Sequence, residues 1–371
     1  MRLVIFILKG ILNLIYVFFK LLRVEDKVTM ISRQSDKKTL DIELLEGELK
    51  KRAGITVICL CRTMNSDLIG LIKYIPALFK QMYHIATSKV VVLDGYCIGV
   101  SFLRQKKSLC VIQMWHALGS LKKFGYSIFN KEEGRSTDLA NLMNMHEHYS
   151  LILSSSDACA DNFAEAFNYR REDITIESLP RVDAILDKDK QIENAKKILK
   201  QYPELREKRN IVYAPTFRKN KEDNMNALNN LMEAIDYEQY NLVIKLHPLM
   251  DVNIERTDVI VDTSFSSIEM FAVADYIILD YSAIVYEAAL MKKPLFFYAF
   301  DLDKYKTNRD FYIDYEKEMP GVVSDNIEDI VFAIDNNNYN LDYVKMFADK
   351  YVEVQESCTE RLADMIEEHL Y

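Results

Sequence analysis

The sequence predicts an α/β fold of two doubly wound, parallel-stranded domains preceded by an amphipathic helix. Three observations carry this. Two series of short, almost continuously apolar segments follow one another along the chain, helix-forming stretches separate the segments within each series, and one charged, helix-forming stretch at 180–205 breaks the rhythm between them. Strands apolar on both faces belong to parallel sheets covered by helices on either side. A chain of 371 residues can fill two such cores.

Residues 1–27 come first and match nothing that follows. At ~100° per residue, Arg2, Lys9, Asn13, Lys20 and Arg23 fall within a sector of roughly 80° on an otherwise apolar helix. Aligned cations beside a broad apolar face suit a helix lying in the headgroup layer of an anionic membrane. A transmembrane span is the competitor, since Leu3 to Leu22 approaches the ~20 residues a bilayer needs, but Lys9 and Lys20 inside it count against that. No small-residue cleavage site suggests a signal peptide.

The first strand series is expected at VTMIS (28–32), ITVICLC (55–61), KVVVLDG (89–95), SLCVIQMW (108–115) and HYSLILS (148–154), with a helix over 40–52. The second is expected at RNIVYAP (209–215), YNLVIKL (240–246), DVIVD (258–262), DYIILD (275–280) and PLFFYAF (294–300). MNALNNLMEAI, SIEMFAVA and AIVYEAALMK supply its helices. The domains are therefore expected at 28–185 and 186–345, with a membrane-associating helix over 1–27 and closing helices over 346–371.

A net charge of −9 argues against a nucleic-acid surface, which needs a basic face. The six cysteines form no CxxC pair and no zinc-like spacing, so they read as reduced, buried thiols in a cytosolic environment. No metal or cofactor is called for.

In open parallel sheets, ligands bind beyond the carboxyl ends of the strands. The residues after the apolar segments therefore select themselves: His116 after IQMW, Arg218 after YAPTF, His247 after VIKL and Ser282 after IILDY. Two histidines can move a proton or bind phosphate oxygens near neutral pH, and an arginine offers a planar donor fork. Ser282 is expected to cap the helix AIVYEAALMK, whose positive end can hold an anion; Glu287, inside that helix, lies within reach of a ribose hydroxyl. Each has a plainer reading as well. His247 and His116 can be satisfied strand-end histidines, Lys122 and Lys123 a solvated helix start, Arg181 one half of an ion pair, and Asp280 a carboxylate that orients its neighbours. His84, His146, His148 and His369 read as structural.

Several ordered blocks now point to a family. DYSAIVYEAALMKKPLFFYAFDLDKY, followed by NRDFYIDY and PG, together with YAPTFR (213–218), KLHPL (245–249) and LPRVDAIL (179–186), resemble the CDP-glycerol glycerophosphotransferases of teichoic-acid and capsule synthesis. The resemblance runs from about residue 24 to 345. The family's HGTPLK is WHALGSLKK here, its DYSS is DYSA, an Asp is replaced by Glu287, and its RGFY is RDFY, which contains Arg309.

The resemblance implies a GT-B architecture with the active site in the cleft between two Rossmann-like domains. His116 matches the proposed catalytic base, and His247 and Ser282 match residues at the donor diphosphate. Lys122, Arg181, Arg218, Asp280, Glu287 and Arg309 fall in the matching substrate-binding blocks. The implied reaction is transfer of glycerol or ribitol phosphate from a CDP-activated polyol to a hydroxyl of a lipid-linked acceptor, releasing CMP, at the cytoplasmic face of the plasma membrane. Two alternatives keep the fold: a glycosyltransferase using a nucleotide sugar, and a membrane scaffold without catalysis.

Overall fold

The computed structural model describes residues 2–64, 68–218, 220–247, 250 and 252–371. It contains two compact units, the first comprising 1–118, 123–183 and 353–371, the second 119–122 and 184–352. Each is built on a six-stranded parallel sheet.

In the first unit the strands are β1 (Glu25–Ser32), β2 (Thr56–Cys61), β3 (Ser88–Leu93), β4 (Cys110–Gln113), β5 (Leu151–Ser154) and β6 (Ile174–Ile176), in the order β2-β1-β3-β4-β5-β6. Val28 pairs with Val57 on one side and Val90 on the other. In the second they are β7 (Arg209–Ala214), β8 (Tyr240–Ile244), β9 (Val259–Val261), β10 (Tyr276–Leu279), β11 (Leu295–Tyr298) and β12 (Val322–Ser324), in the order β12-β11-β10-β7-β8-β9. Ile277 pairs with both Val212 and Leu295. Central strands are buried on both faces, as the runs Val90 to Leu93 and Ile277 to Leu279 show, because helices cover the sheets from either side. In both sheets the order reverses beside the first strand of the series; the candidate residues follow β4 (His116), β7 (Arg218), β8 (His247) and β10 (Ser282).

The closing helices divide between the units. Leu341–Tyr351 belongs to the second, while Cys358–Glu368 packs on the helix Leu40–Leu49 of the first.

The N-terminal helix α1 (Arg2–Lys20) corrects one expectation. Its polar stripe faces the protein. Lys9 donates to Asn144 Oδ1 at 2.7 Å, Asn13 to the Phe102 carbonyl at 2.8 Å, and Lys20 to the Arg104 carbonyl at 3.1 Å, while Tyr16 is wholly buried and bonded to Gln105. Arg2 pairs with Asp138. Periodicity alone cannot say which side of an amphipathic helix docks, and here the polar groups find partners only on the protein side. The outward side carries Phe6, Leu14, Phe18 and Leu21, each at least 67% exposed. The helix Leu68–Thr87 packs beside α1 through Tyr83 against Phe19 and adds the exposed Ile69, Ile72 and Ile75. No helix among the described residues is long and apolar enough to cross a membrane.

In the second unit, a buried ion pair fixes the end of β8. Lys245 Nζ meets the Asp262 carboxylate and donates to the Asp262 carbonyl at 3.0 Å, and Tyr202 donates to the other carboxylate oxygen at 2.7 Å. Lys245→Met strands a buried carboxylate, and breaking such a pair costs about 3–5 kcal/mol. Urea unfolding should show that loss; a variant as stable as the parent would mean that Asp262 is satisfied without the lysine.

Candidate active site

In the first unit, β3 and β4 end side by side, and their loops hold His116. The imidazole Nδ1 lies 2.8 Å from the Asp94 carbonyl and 3.2 Å from the Gln34 amide. The carbonyl can only accept and the Gln34 Nε2 can only donate; the shorter contact, to the carbonyl, has Nδ1 carrying the proton and the basic lone pair on Nε2. That is the tautomer a general base needs. The Trp115 ring stacks on Phe124 at 4.8 Å and meets Phe167 edge-on at 5.2 Å, which packs the residue before the histidine. The Asp94 side chain is buried, and burial pushes its carboxyl up to about 6, with the Ser32 hydroxyl opposing.

In the second unit, the ends of β7, β10 and β11 are tied by charge. Asp280, wholly buried, accepts from the Thr216 N–H at 2.8 Å and from Arg218 Nη1 at 2.6 Å. Arg218 also forks onto Asp301, Nε to Oδ2 at 2.8 Å and Nη2 to Oδ1 at 3.0 Å, and lies 4.3 Å from the centre of the Phe300 ring. Its Nε, Nη1 and Nη2 all donate within the chain. The planar fork expected for a phosphate is thus engaged by carboxylates, and Arg218 positions the loops around it.

Lys122 also lies in this unit. It does not start a helix; Lys122 forms an antiparallel bridge with Phe311. Gly119 makes the approach possible, because a Cβ there would come within 2.5 Å of the Tyr286 ring. The Lys122 ammonium lies 5.7 Å from the centre of the Tyr305 ring and within electrostatic reach of His247. Burial first, then Lys122, holds the His247 pKa below its ordinary value, with Asp280 opposing. Pro248 and Leu249 of the KLHPL block lie outside the described residues.

Ser282 stands differently from expectation. The helix is shorter, Val285–Leu290, and its N-cap is Ile284. Ser282 opens the preceding turn, accepting from the Val285 N–H through its carbonyl at 3.2 Å and from the Ile284 N–H through Oγ at 3.4 Å. Glu287 is buried inside that helix. Arg181, in the first unit, pairs with buried Asp41, its backbone N–H and Nε donating at 2.8 and 2.9 Å. Arg309 ends the helix Leu302–Asn308, its N–H bonded to the Tyr305 carbonyl. The next residue, Asp310, has φ 82°, so the glycine usual in this block has a backbone reason; Asp310 meets it by accepting from the Phe311 N–H at 2.9 Å.

Asp301, Thr216, Asp94 and Gln34 were not singled out from the sequence. Asp301 and Asp94 follow apolar segments just as His116 does, and the same strand-end rule selects them. Gln34 and Thr216 carry no such signal, since their partners lie far along the chain. All six cysteines are free thiols, and among the described residues no His, Cys, Asp and Glu group is arranged to hold a metal.

Two six-stranded parallel sheets covered by helices, with polar groups at their strand ends, give the chain a GT-B-type α/β fold. The chain belongs to the CDP-glycerol:poly(glycerophosphate) glycerophosphotransferase family, whose pattern matches residues 15–368. It is 33% identical to the teichoic acid ribitol-phosphate primase of Bacillus spizizenii, covering 98% of this chain and 97% of that one. It is 28% identical to the teichoic acid glycerol-phosphate primase of Bacillus subtilis, covering 92% and 91%. The wall teichoic acid polymerase TagF shares the fold, with a TM-score of 0.73 at 18% identity over 100% of this chain and 97% of that one. The chain is accordingly an enzyme of polyol-phosphate transfer from a CDP-activated donor in teichoic acid synthesis.

His146 gives the first unit an acid limit. It is buried against Phe167 at 4.8 Å, and burial drives its pKa from 6.5 down to about 3. Between those values the unfolded chain binds a proton that the native state refuses, so stability rises with pH across that window and falls on acidification. His146→Gln should flatten the loss between about pH 6.5 and pH 5 by ~1.4 kcal/mol per pH unit. Urea unfolding of parent and variant across that range is the check; parallel curves would show that His146 protonates in the folded protein.

Proposed function

We propose that this enzyme transfers ribitol phosphate, and glycerol phosphate less well, from its CDP-activated form to a hydroxyl on a lipid-linked acceptor. His116 in the first unit is the base. It takes the acceptor hydroxyl proton on Nε2 as that oxygen attacks the polyol-bearing phosphorus; the new O–P bond forms, the phosphoanhydride P–O bond breaks, and CMP leaves. The second unit supplies electrostatic stabilisation of the diphosphate. Lys122, His247 and the Ser282 turn meet the phosphates, while Arg218, Asp280 and Asp301 hold those loops in register. Glu287 and Arg181 support the loops from inside their own units, and Arg309 fixes the turn that carries Phe311 beside Lys122.

The observation that carries this reading is the His116 clamp, which leaves Nε2 as the basic nitrogen. Ribitol is favoured because the primase 33% identical over almost its full length is a ribitol-phosphate enzyme. CMP release by purified protein offered CDP-ribitol and CDP-glycerol in parallel, with a lipid-linked primer, tests both points. His116→Ala should abolish CMP release while donor affinity stays within about twofold, since a base acts in the transition state and not in ground-state binding. Release from a nucleotide sugar and from neither CDP-polyol would select the glycosyltransferase.

The same reading places the enzyme on a membrane, through the apolar face of α1 and its neighbour Leu68–Thr87. Exposed apolar area of this kind on a soluble surface marks an interaction site, and a lipid-linked acceptor supplies the reason for this one. Because the α1 cations are engaged by the protein, insertion and not charge attraction provides the affinity. Binding to neutral phosphatidylcholine vesicles should therefore approach binding to anionic ones, and Phe6→Asp with Phe18→Asp should abolish both. Attachment to anionic vesicles alone, untouched by those substitutions, would return the role to charge.

A further inference from the structure

Trp115 has φ 62°, a left-handed backbone that a bulky side chain rarely adopts and that persists only where its surroundings enforce it. The residue after it is His116. What enforces the conformation is the side chain two residues before Trp115. Gln113 ends β4 and is wholly buried. Its Oε1 accepts from the Trp115 N–H at 3.0 Å and its Nε2 donates to the Gly95 carbonyl at 3.1 Å. Gly95 follows Asp94, whose carbonyl takes the His116 Nδ1 proton at 2.8 Å. One amide thus joins the two loops whose ends form the histidine clamp, at the residue beside each half of it.

We propose that Gln113 is a positioning residue for His116: by bridging Gly95 and Trp115 it holds the left-handed elbow that turns the imidazole onto the Asp94 carbonyl. This rests on the reading of His116 as the base. A side chain buried between two strands commonly satisfies backbone groups and nothing more. Three features set Gln113 apart: it uses its donor and its acceptor on different loops, one partner is a strained residue, and both partners adjoin the atoms of the clamp. The Trp115 ring, packed on Phe124 and 4.2 Å from the imidazole, is carried by the same elbow.

Gln113→Leu removes both bonds, and the side-chain bond to Tyr149, at similar volume, and a misplacement of about 1 Å at a catalytic group lowers turnover by ~10²-fold. We expect kcat to fall by that order with KM for the CDP-polyol within about twofold. In a sample labelled with 15N at histidine, the His116 ring shifts should move from the Nδ1-protonated pattern towards a tautomer average. Gln113→Glu is the second variant and keeps the fold testable should leucine not be tolerated. As a carboxylate it can accept from Trp115 but not donate to Gly95; as a neutral acid it does both, and burial favours the neutral form. Its kcat relative to the parent should therefore recover as pH falls. Taking the ratio removes the titrations of Asp94 and His146, which are common to both proteins.

Parent-like kcat in Gln113→Leu with unchanged ring shifts would overturn the proposal, as would a Gln113→Glu ratio that stays flat with pH. If His116→Ala retains turnover, the underlying reading of the base fails instead. The ring shifts still decide the placement of the imidazole in that case.

Discussion

The second unit depends on one buried carboxylate. Asp280 ends β10 with no exposure, and a charge taken out of water survives only if its lone pairs are met. They are met by groups from the neighbouring strand end: the Thr216 amide and hydroxyl and the Arg218 guanidinium. Arg218 passes the constraint on to Asp301 beyond β11, and the Asp280 carbonyl accepts from Tyr315 at 2.7 Å. Three strand ends are fixed by one desolvated charge. His247 lies within electrostatic reach of Asp280 and of half-buried Lys122.

The first unit holds its histidine through amides and carbonyls: the Asp94 carbonyl meets Nδ1, and Gln113 bridges Gly95 and Trp115. That arrangement suits the role proposed for His116, whose charge would change during the reaction. A guanidinium beside His116 would lower its basicity; the Asp94 carbonyl fixes the ring while leaving Nε2 able to take a proton.

Most of the strands were legible because a strand buried on both faces leaves an apolar run, and KVVVLDG or DYIILD admits little else. The strands β6 and β12 were not, being three residues long, at sheet edges and half-exposed. His116 and His247 were legible for a topological reason, since polar residues directly after such runs fall at the binding edge. Their partners were not. Arg218 and Asp301 are separated by 83 positions, and nothing local marks an arginine as engaged by carboxylates. The orientation of α1 failed for a related cause: the stripe Lys9, Asn13 and Lys20 is visible in the sequence, but Asn144, Phe102 and Arg104, which receive it, are not marked as its acceptors. The helix at Val285 was expected to begin two residues early because Ser282 is a good cap by type; the turn that precedes the helix uses it first.

The depressed basicity of His247 follows from this arrangement and bears on how a diphosphate would be held. Burial and the Lys122 ammonium both disfavour its protonated form, so near neutrality the free enzyme carries the lysine charge and an uncharged imidazole. An arriving dianion reverses the sign of the second effect, because it attracts the cation that Lys122 repels. By linkage, what raises the histidine pKa on binding also strengthens binding as the histidine charges. In the proposed site the two cations would therefore not repel one another before the donor binds, and the second would appear where negative charge has arrived.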